Sequence, residues 1–195
     1  MLVCGMTGSI GMGKSTTAGM FRRRGVPVYD ADAAVHKLYG GRAVPLVEAE
    51  FPGTTKDGRV DRALLSAAVL ADRGKLARLE KLVHGLVAEE ERRFREAASG
   101  SGYRLAILDI PLLFETGAER RVDAAIVVTA DTAVQRERVL ARPGMDEAKF
   151  RAIVERQMPD GEKRRRAHFL VDTGHGLEAA ERQVDTILRA LAYMV

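Results

Sequence analysis

Short, wholly apolar runs recur along the chain: Leu2-Val3-Cys4-Gly5-Met6, Val26-Pro27-Val28-Tyr29, Leu105-Ala106-Ile107-Leu108, residues 124–128 and Phe169-Leu170-Val171. Continuous runs of this length, without polar alternation, predict strands covered on both faces in a parallel sheet. The segments between them follow a helical period instead. Residues 14–24 read as a helix closed by Gly25, another starts near Ala33 and stops at Gly40-Gly41, and residues 132–140 form a third. Asp146 is placed as the N-cap of a further helix, with Met145 and Phe150 spaced as a hydrophobic staple. Ala180, Val184, Ile187, Leu188 and Leu191 share one face of a last helix that should cover the sheet. Two amphipathic stretches, carrying Leu64, Leu65, Ala68 and Val69, then Leu76, Leu79, Val83, Leu86 and Val87, precede the breaker Ser99-Gly100-Ser101-Gly102. Strands alternating with helices predict a three-layer α/β domain around a five-stranded parallel sheet. Its core is expected in residues 1–40, 100–130 and 165–195, with a helical insertion over 41–99 and a mobile helical region over 131–164.

Composition narrows this only slightly. A chain of 195 residues, 46% hydrophobic and 30% charged, has enough apolar surface for one substantial core and is not a disordered protein. No apolar run reaches membrane-spanning length, and the first strand begins within two residues of Met1, so neither a membrane span nor an export signal is expected and a cytoplasmic location follows. The single cysteine, Cys4, forms no internal disulfide and reads as a small core hydrophobe. The net charge of +4 comes partly from two separate basic runs, Arg22-Arg23-Arg24 and Lys163-Arg164-Arg165-Arg166. Neither carries interleaved aromatics, so a small polyanionic substrate explains the excess as well as nucleic acid does. Solvated helix ends or loops are a third reading of both runs.

Gly8-Ser9-Ile10-Gly11-Met12-Gly13-Lys14-Ser15 changes the picture most. Glycine, four spacers, glycine, lysine and serine, set between a strand and a helix, make a phosphate-binding loop. Glycines 8, 11 and 13 allow positive φ, successive N–H groups through Thr16 converge on a phosphate chain, and the helix N-terminus adds partial positive charge. Lys14 reaches the outer phosphates of ATP, and Ser15 is placed to ligate the accompanying Mg2+. Asp109, ending an apolar strand, fits a magnesium-holding carboxylate, with a plain turn aspartate before Pro111 as the alternative. Asp30 and Asp32 end another strand at the edge where such sheets bind ligands; Asp32 is the preferred functional carboxylate, although both could cap the following helix. His84 lies beside an apolar stripe, where packing or simple exposure explains a histidine as well as chemistry does. Arg136, Arg138, Arg142, Arg151 and Arg156 give residues 131–164 the charge of a lid that closes over transferring phosphate, or of a solvated face. No Asn-Lys-x-Asp sequence of a GTPase is present, and dehydrogenase loops lack the lysine–serine pair. The pattern is that of a phosphate-loop kinase.

Nearly the whole chain resembles the dephospho-CoA kinase family. The resemblance rests on Thr7 to Ser15, on Asp30-Ala31-Asp32, and on Asp57-Gly58 with Asp61-Arg62 and Leu64. It continues through Leu79-Glu80 and His84, the mid-chain Pro111-Leu112-Leu113-Phe114-Glu115, and Arg138, Arg142 and Gln157. It implies transfer of the γ-phosphoryl of ATP to the 3′-hydroxyl of dephospho-CoA. Asp32 would then act as base or positioning carboxylate, Lys14 with Arg142 and Arg138 would neutralise the moving group, and Arg62, His84, Leu113 and Glu115 would serve the acceptor. The family usually has proline where this chain has Gly85, and asparagine where it has Asp172. Another small-molecule or nucleoside monophosphate kinase of the same fold is the alternative. A monomer without nucleic-acid or membrane partners is expected.

Overall fold

The computed structural model describes residues 1–193. In chain order the strands are β1 (Leu2–Thr7), β2 (Val28–Asp30), β3 (Thr55–Lys56), β4 (Arg59–Val60), β5 (Leu105–Asp109), β6 (Ala124–Thr129) and β7 (Phe169–Asp172). The helices are α1 (Lys14–Arg23), α2 (Ala31–Leu38), α3 (Ala43–Glu50), α4 (Arg62–Val69), α5 (Arg73–Gly100), α6 (Thr132–Leu140), α7 (Glu147–Val154), α8 (Asp160–Arg166) and α9 (Leu177–Ala192). They form two compact units, Met1–Tyr29 with Ala98–Val195, and Asp30–Ala97.

The first unit is built on a five-stranded parallel sheet in the order β2-β5-β1-β6-β7. Burial on both faces accounts for the continuous apolar runs: every residue of β6 is buried. Successive side chains point to opposite faces, so Ile126 and Val128 join Cys4, Met6, Ile107 and Val171 beneath α1 and α9, while Ala125 and Val127 pack with Leu113, Phe114 and Ala118 on the other side. The expected stripe of α9 is the buried one, with Ala180, Val184, Ile187 and Leu191 inside and Leu188 partly covered. Each such aliphatic side chain stabilises the unit by roughly 1.5–3 kcal/mol when fully buried.

The second unit has its own core of Leu38, Ala43, Val47, Phe51, Val60, Leu65, Val69 and Leu86. Leu38 of α2 belongs to it, so this unit begins at Asp30 and not near residue 41. A β3–β4 hairpin lies within it, turned by Asp57 and Gly58, which both take positive φ (51° and 72°). The Asp-Gly pair is the sequence signal for that turn. The expected break at Ser99 comes later, because α5 runs unbroken through Gly85 and Gly100, and the chain reverses at Gly102 (φ 79°). A single glycine costs a helix only about 1 kcal/mol, which the other residues of so long a helix offset.

Candidate active site

Within the first unit, the loop between β1 and α1 holds a positive-φ conformation at Gly11 (81°) and Gly13 (86°), as the motif requires. Gly8 serves differently: a Cβ there would lie 2.6 Å from the Val128 carbonyl oxygen, so it permits close approach to β6 and not a left-handed turn. Met12 N–H closes a turn on the Ser9 carbonyl, and Met12 is buried with its sulfur 3.1 Å from the Ala130 N–H. The N–H groups of Gly11, Gly13, Lys14, Ser15 and Thr16 donate to no acceptor among the described residues. These are the donors of a phosphate cradle at the N-terminus of α1.

Lys14 Nζ donates to Asp109 Oδ1 at 2.6 Å, and Asp109 is only 2% exposed at the end of β5. The pair brings the loop cation and the strand carboxylate together, beside the exposed hydroxyl of Ser15 one residue on. No cluster of three or more histidine, cysteine, aspartate or glutamate side chains able to hold a metal ion occurs among the described residues. One carboxylate and one hydroxyl suit a hard divalent cation that arrives with nucleotide oxygens and retains water.

Next to the loop is a cavity of about 320 Å3 lined by Gly11, Gly13, Thr16, Arg138, Arg142 and Leu177, among others. Arg138, on α6, donates to Thr173 Oγ1 at 2.7 Å and to the Thr173 carbonyl at 2.8 Å. Thr173 in turn donates to the Met12 carbonyl at 2.9 Å, so the turn after β7, the loop and α6 are tied at one residue. Nothing in the sequence marked Thr173, whose role depends on a non-local approach. Arg142 makes no ion pair among the described residues and borders the cavity. Arg136 is drawn away from it into an ion pair with Glu147 at 2.7 Å, and Arg151 also lies within 3.8 Å of Glu147. Asp146 caps α7 through the Lys149 N–H, as expected. Asp172 accepts the Gly174 N–H at 2.8 Å and shapes the turn.

Two residues expected at the acceptor have other surroundings. Leu113 is fully buried in the core, against the backbone of Gly5, where a Cβ would come within 2.9 Å of its methyl. It is a packing residue. Glu115 lies 2.9 Å from Lys163 Nζ and accepts the Met158 N–H at 2.8 Å. Burial alone would raise its carboxyl, but Lys163 and the Met158 N–H outweigh that and hold it below the ordinary carboxylate range. Lys163, read from the sequence as part of a solvated basic run, is completely buried. Asp160, at the start of α8, accepts the Thr129 hydroxyl at 2.8 Å, so α8 is bound to β6 through Asp160 and to the segment after β5 through Lys163.

In the second unit, Asp30 is the N-cap of α2 and accepts the Ala33 N–H at 2.9 Å. Asp32 takes no part in the cap. It lines a cavity of about 630 Å3 with Tyr39, Arg62, Ser66, Leu70 and Leu79. The Arg62 guanidinium sits 5.5 Å from the centroid of the Tyr39 ring, which gives the cavity a cationic and an aromatic wall. Asp61 caps α4 through Ala63 and Leu64, which presents Arg62 at the first helical position. His84 is exposed on α5 and does not line this cavity. Tyr39 is the residue here that sequence inspection missed, because an aromatic at a helix end reads as core.

Comparison with known proteins agrees with this geometry. The family described as "Dephospho-CoA kinase" matches residues 2–178. A dephospho-CoA kinase of Rhodopseudomonas palustris (strain HaA2) is 58% identical over 194 residues, covering 100% of this chain and 98% of that protein. Among solved structures, the protein TT1252 of Thermus thermophilus superposes with a TM-score of 0.82 at 36% identity, over 97% of each chain. A dephospho-CoA kinase of Campylobacter jejuni has the same fold, with a TM-score of 0.71 at 21% identity over 97% of this chain and 96% of that one. A phosphate loop completed by a lysine–aspartate pair, on a parallel sheet and within a chain matched from end to end, places this protein in the dephospho-CoA kinase family.

Proposed function

We infer how the residues of this chain divide the work of a dephospho-CoA kinase, which passes the γ-phosphoryl of ATP to the 3′-hydroxyl of dephospho-CoA and yields coenzyme A and ADP. The reading is carried by the loop whose unengaged N–H groups at Gly11, Gly13, Lys14, Ser15 and Thr16 accompany the Lys14–Asp109 pair. Gly8, Ser9, Ile10, Met12 and Gly13 shape that cradle, and Lys14 exchanges Asp109 for the β- and γ-phosphates when ATP enters. Arg142, free of protein carboxylates among the described residues, neutralises charge on the transferring group, while Arg138 holds the nucleotide side of the cavity through its grip on Thr173. Ser15 and Asp109 would hold Mg2+, which when bound offsets charge on the phosphate oxygens. In the second unit Asp32 orients or deprotonates the acceptor hydroxyl, and Arg62 binds an anionic part of dephospho-CoA above Tyr39. His84, exposed on α5, serves as a further contact for dephospho-CoA. The α6–α7 pair acts as the lid. The reaction belongs in the cytoplasm, with the chain as a monomer.

The test is ADP formation from ATP and Mg2+ with dephospho-CoA offered beside AMP and other nucleotides, product masses being checked. Coenzyme A formed only from dephospho-CoA is the expected result. Turnover of another acceptor in its place would overturn the acceptor assignment while leaving the kinase chemistry intact.

A further inference from the structure

Ile10 is held from both sides by side chains that belong to neither the loop nor its flanking strand and helix. Its N–H donates to Gln157 Oε1 at 3.1 Å, and its carbonyl accepts from Gln135 Nε2 at 2.8 Å. Gln135 is on α6 and only 5% exposed, and Gln157 lies in the connection between α7 and α8. The two bonds fix the peptide planes before and after Ile10, immediately upstream of the N–H groups that form the phosphate cradle. Met12 is seated by Ser9 and Ala130, and Gly13 by its contact with Thr173, but no other hydrogen bond reaches the backbone of Ile10 among the described residues.

We propose that Gln157 and Gln135 are positioning residues for ATP: by clamping the Ile10 backbone they preset the phosphate loop, and they make its affinity for the triphosphate depend on the helices that carry them. Neither side chain needs to touch the nucleotide. An amide suits both positions, since it presents an uncharged acceptor to the Ile10 N–H, or an uncharged donor to its carbonyl, beside a site built for several negative charges. A carboxylate could accept the same N–H but would repel the triphosphate. The proposal rests on the reading of the loop as the ATP site.

The experiment compares the full-length enzyme with Gln157→Leu, Gln157→Glu and Gln135→Leu, following Ile10 amide exchange by NMR, equilibrium binding of ATP, and steady-state kinetics. In the parent the Ile10 amide should be protected without nucleotide. Gln157→Leu should remove that protection and weaken ATP binding about fivefold, the value of one neutral hydrogen bond. kcat at saturation and the KM for dephospho-CoA should stay unchanged. Gln157→Glu should restore the protection yet bind ATP still more weakly, and its deficit should shrink as rising salt screens the added charge. Gln135→Leu should lose ATP affinity without exposing the Ile10 amide to the same degree.

Unchanged ATP affinity in Gln157→Leu despite a freely exchanging Ile10 amide would overturn the clamp. So would a fall in kcat at constant ATP affinity, which would make Gln157 a direct contact of the reacting groups. If Gln157→Leu does not fold, the opposite responses of exchange and affinity in Gln157→Glu decide the matter. A parent enzyme inactive toward dephospho-CoA would remove the acceptor assignment, whereas the binding and exchange measurements would still test the clamp.

Discussion

Individual side chains in this protein have roles that their identity alone does not reveal. Asp30 and Asp32 are the same residue two positions apart, yet Asp30 caps a helix and Asp32 faces a cavity. Asp32→Asn should therefore preserve folding and ATP affinity while lowering kcat by about 10²–10⁴ if the carboxylate takes the acceptor proton, as single-turnover kinetics with dephospho-CoA will measure. Activity near that of the parent would reduce Asp32 to a spectator. Leu113 makes the reverse case. Full burial against Gly5 means that Leu113→Ala should cost about 2–5 kcal/mol in a denaturant titration, with the KM for dephospho-CoA of the surviving folded enzyme unchanged. A selective rise in that KM would restore Leu113 to the acceptor site. The loop motif was legible in the sequence because its spacing is itself the mechanism. Leu113 and Lys163 were not, because a motif position says nothing about which way a side chain points, and a lysine among arginines has no local mark of burial.

At the level of elements, the strands were the most readable part, since burial on both faces leaves a continuous apolar run such as residues 124–128. Helix α8 was hidden for the opposite reason. Its sequence Asp160-Gly161-Glu162-Lys163-Arg164-Arg165-Arg166 has almost no apolar content, and it is anchored by ions instead. Thr173 and Gln135 were equally invisible, and Gln157 stood out only through the family resemblance and not for its hold on Ile10, because each acts across more than thirty positions of chain. The anchoring of α8 predicts a particular response. Lys163→Met leaves the Glu115 carboxylate without its cation and should destabilise the first unit by about 3 kcal/mol, less than a wholly enclosed pair because Glu115 keeps some contact with water. Adding Glu115→Gln should recover much of that loss in chemical denaturation, since the amide oxygen can still accept the Met158 N–H. Acid should act in the same direction as Lys163→Met. The Glu115 carboxyl is depressed in the folded protein, so its contribution is complete above the ordinary carboxylate range and is lost as pH falls through the lower folded value. The double variant should lack this part of the acid sensitivity.

Across the whole molecule there are two separate cores. The first unit contains the phosphate loop and the second contains Asp32 and Arg62, each over a separate set of buried residues. Phe51→Ala, in the second core, should cost about 3–5 kcal/mol there. At moderate urea, hydrogen exchange should show amides of the second unit opening while those of β1, β5 and β6 stay protected, and ATP should still bind when dephospho-CoA does not. Simultaneous opening of both sets of amides would mean that the chain folds as one cooperative block.

Cys4 sits in the middle strand of the sheet, in register with Ile107 on one side and Ala124 on the other. It is completely covered, and burial followed by the nearby Asp123 charge pushes its thiol up to about 12. As the chain's single cysteine, it makes the protein its own stopwatch. A thiol reagent can react only after the sheet has come apart, so the labelling rate under native conditions times that opening. ATP, which binds the closed form, should lengthen the interval in proportion to its concentration over its Kd, so one chemical modification would report both the integrity of the fold and the occupancy of the loop.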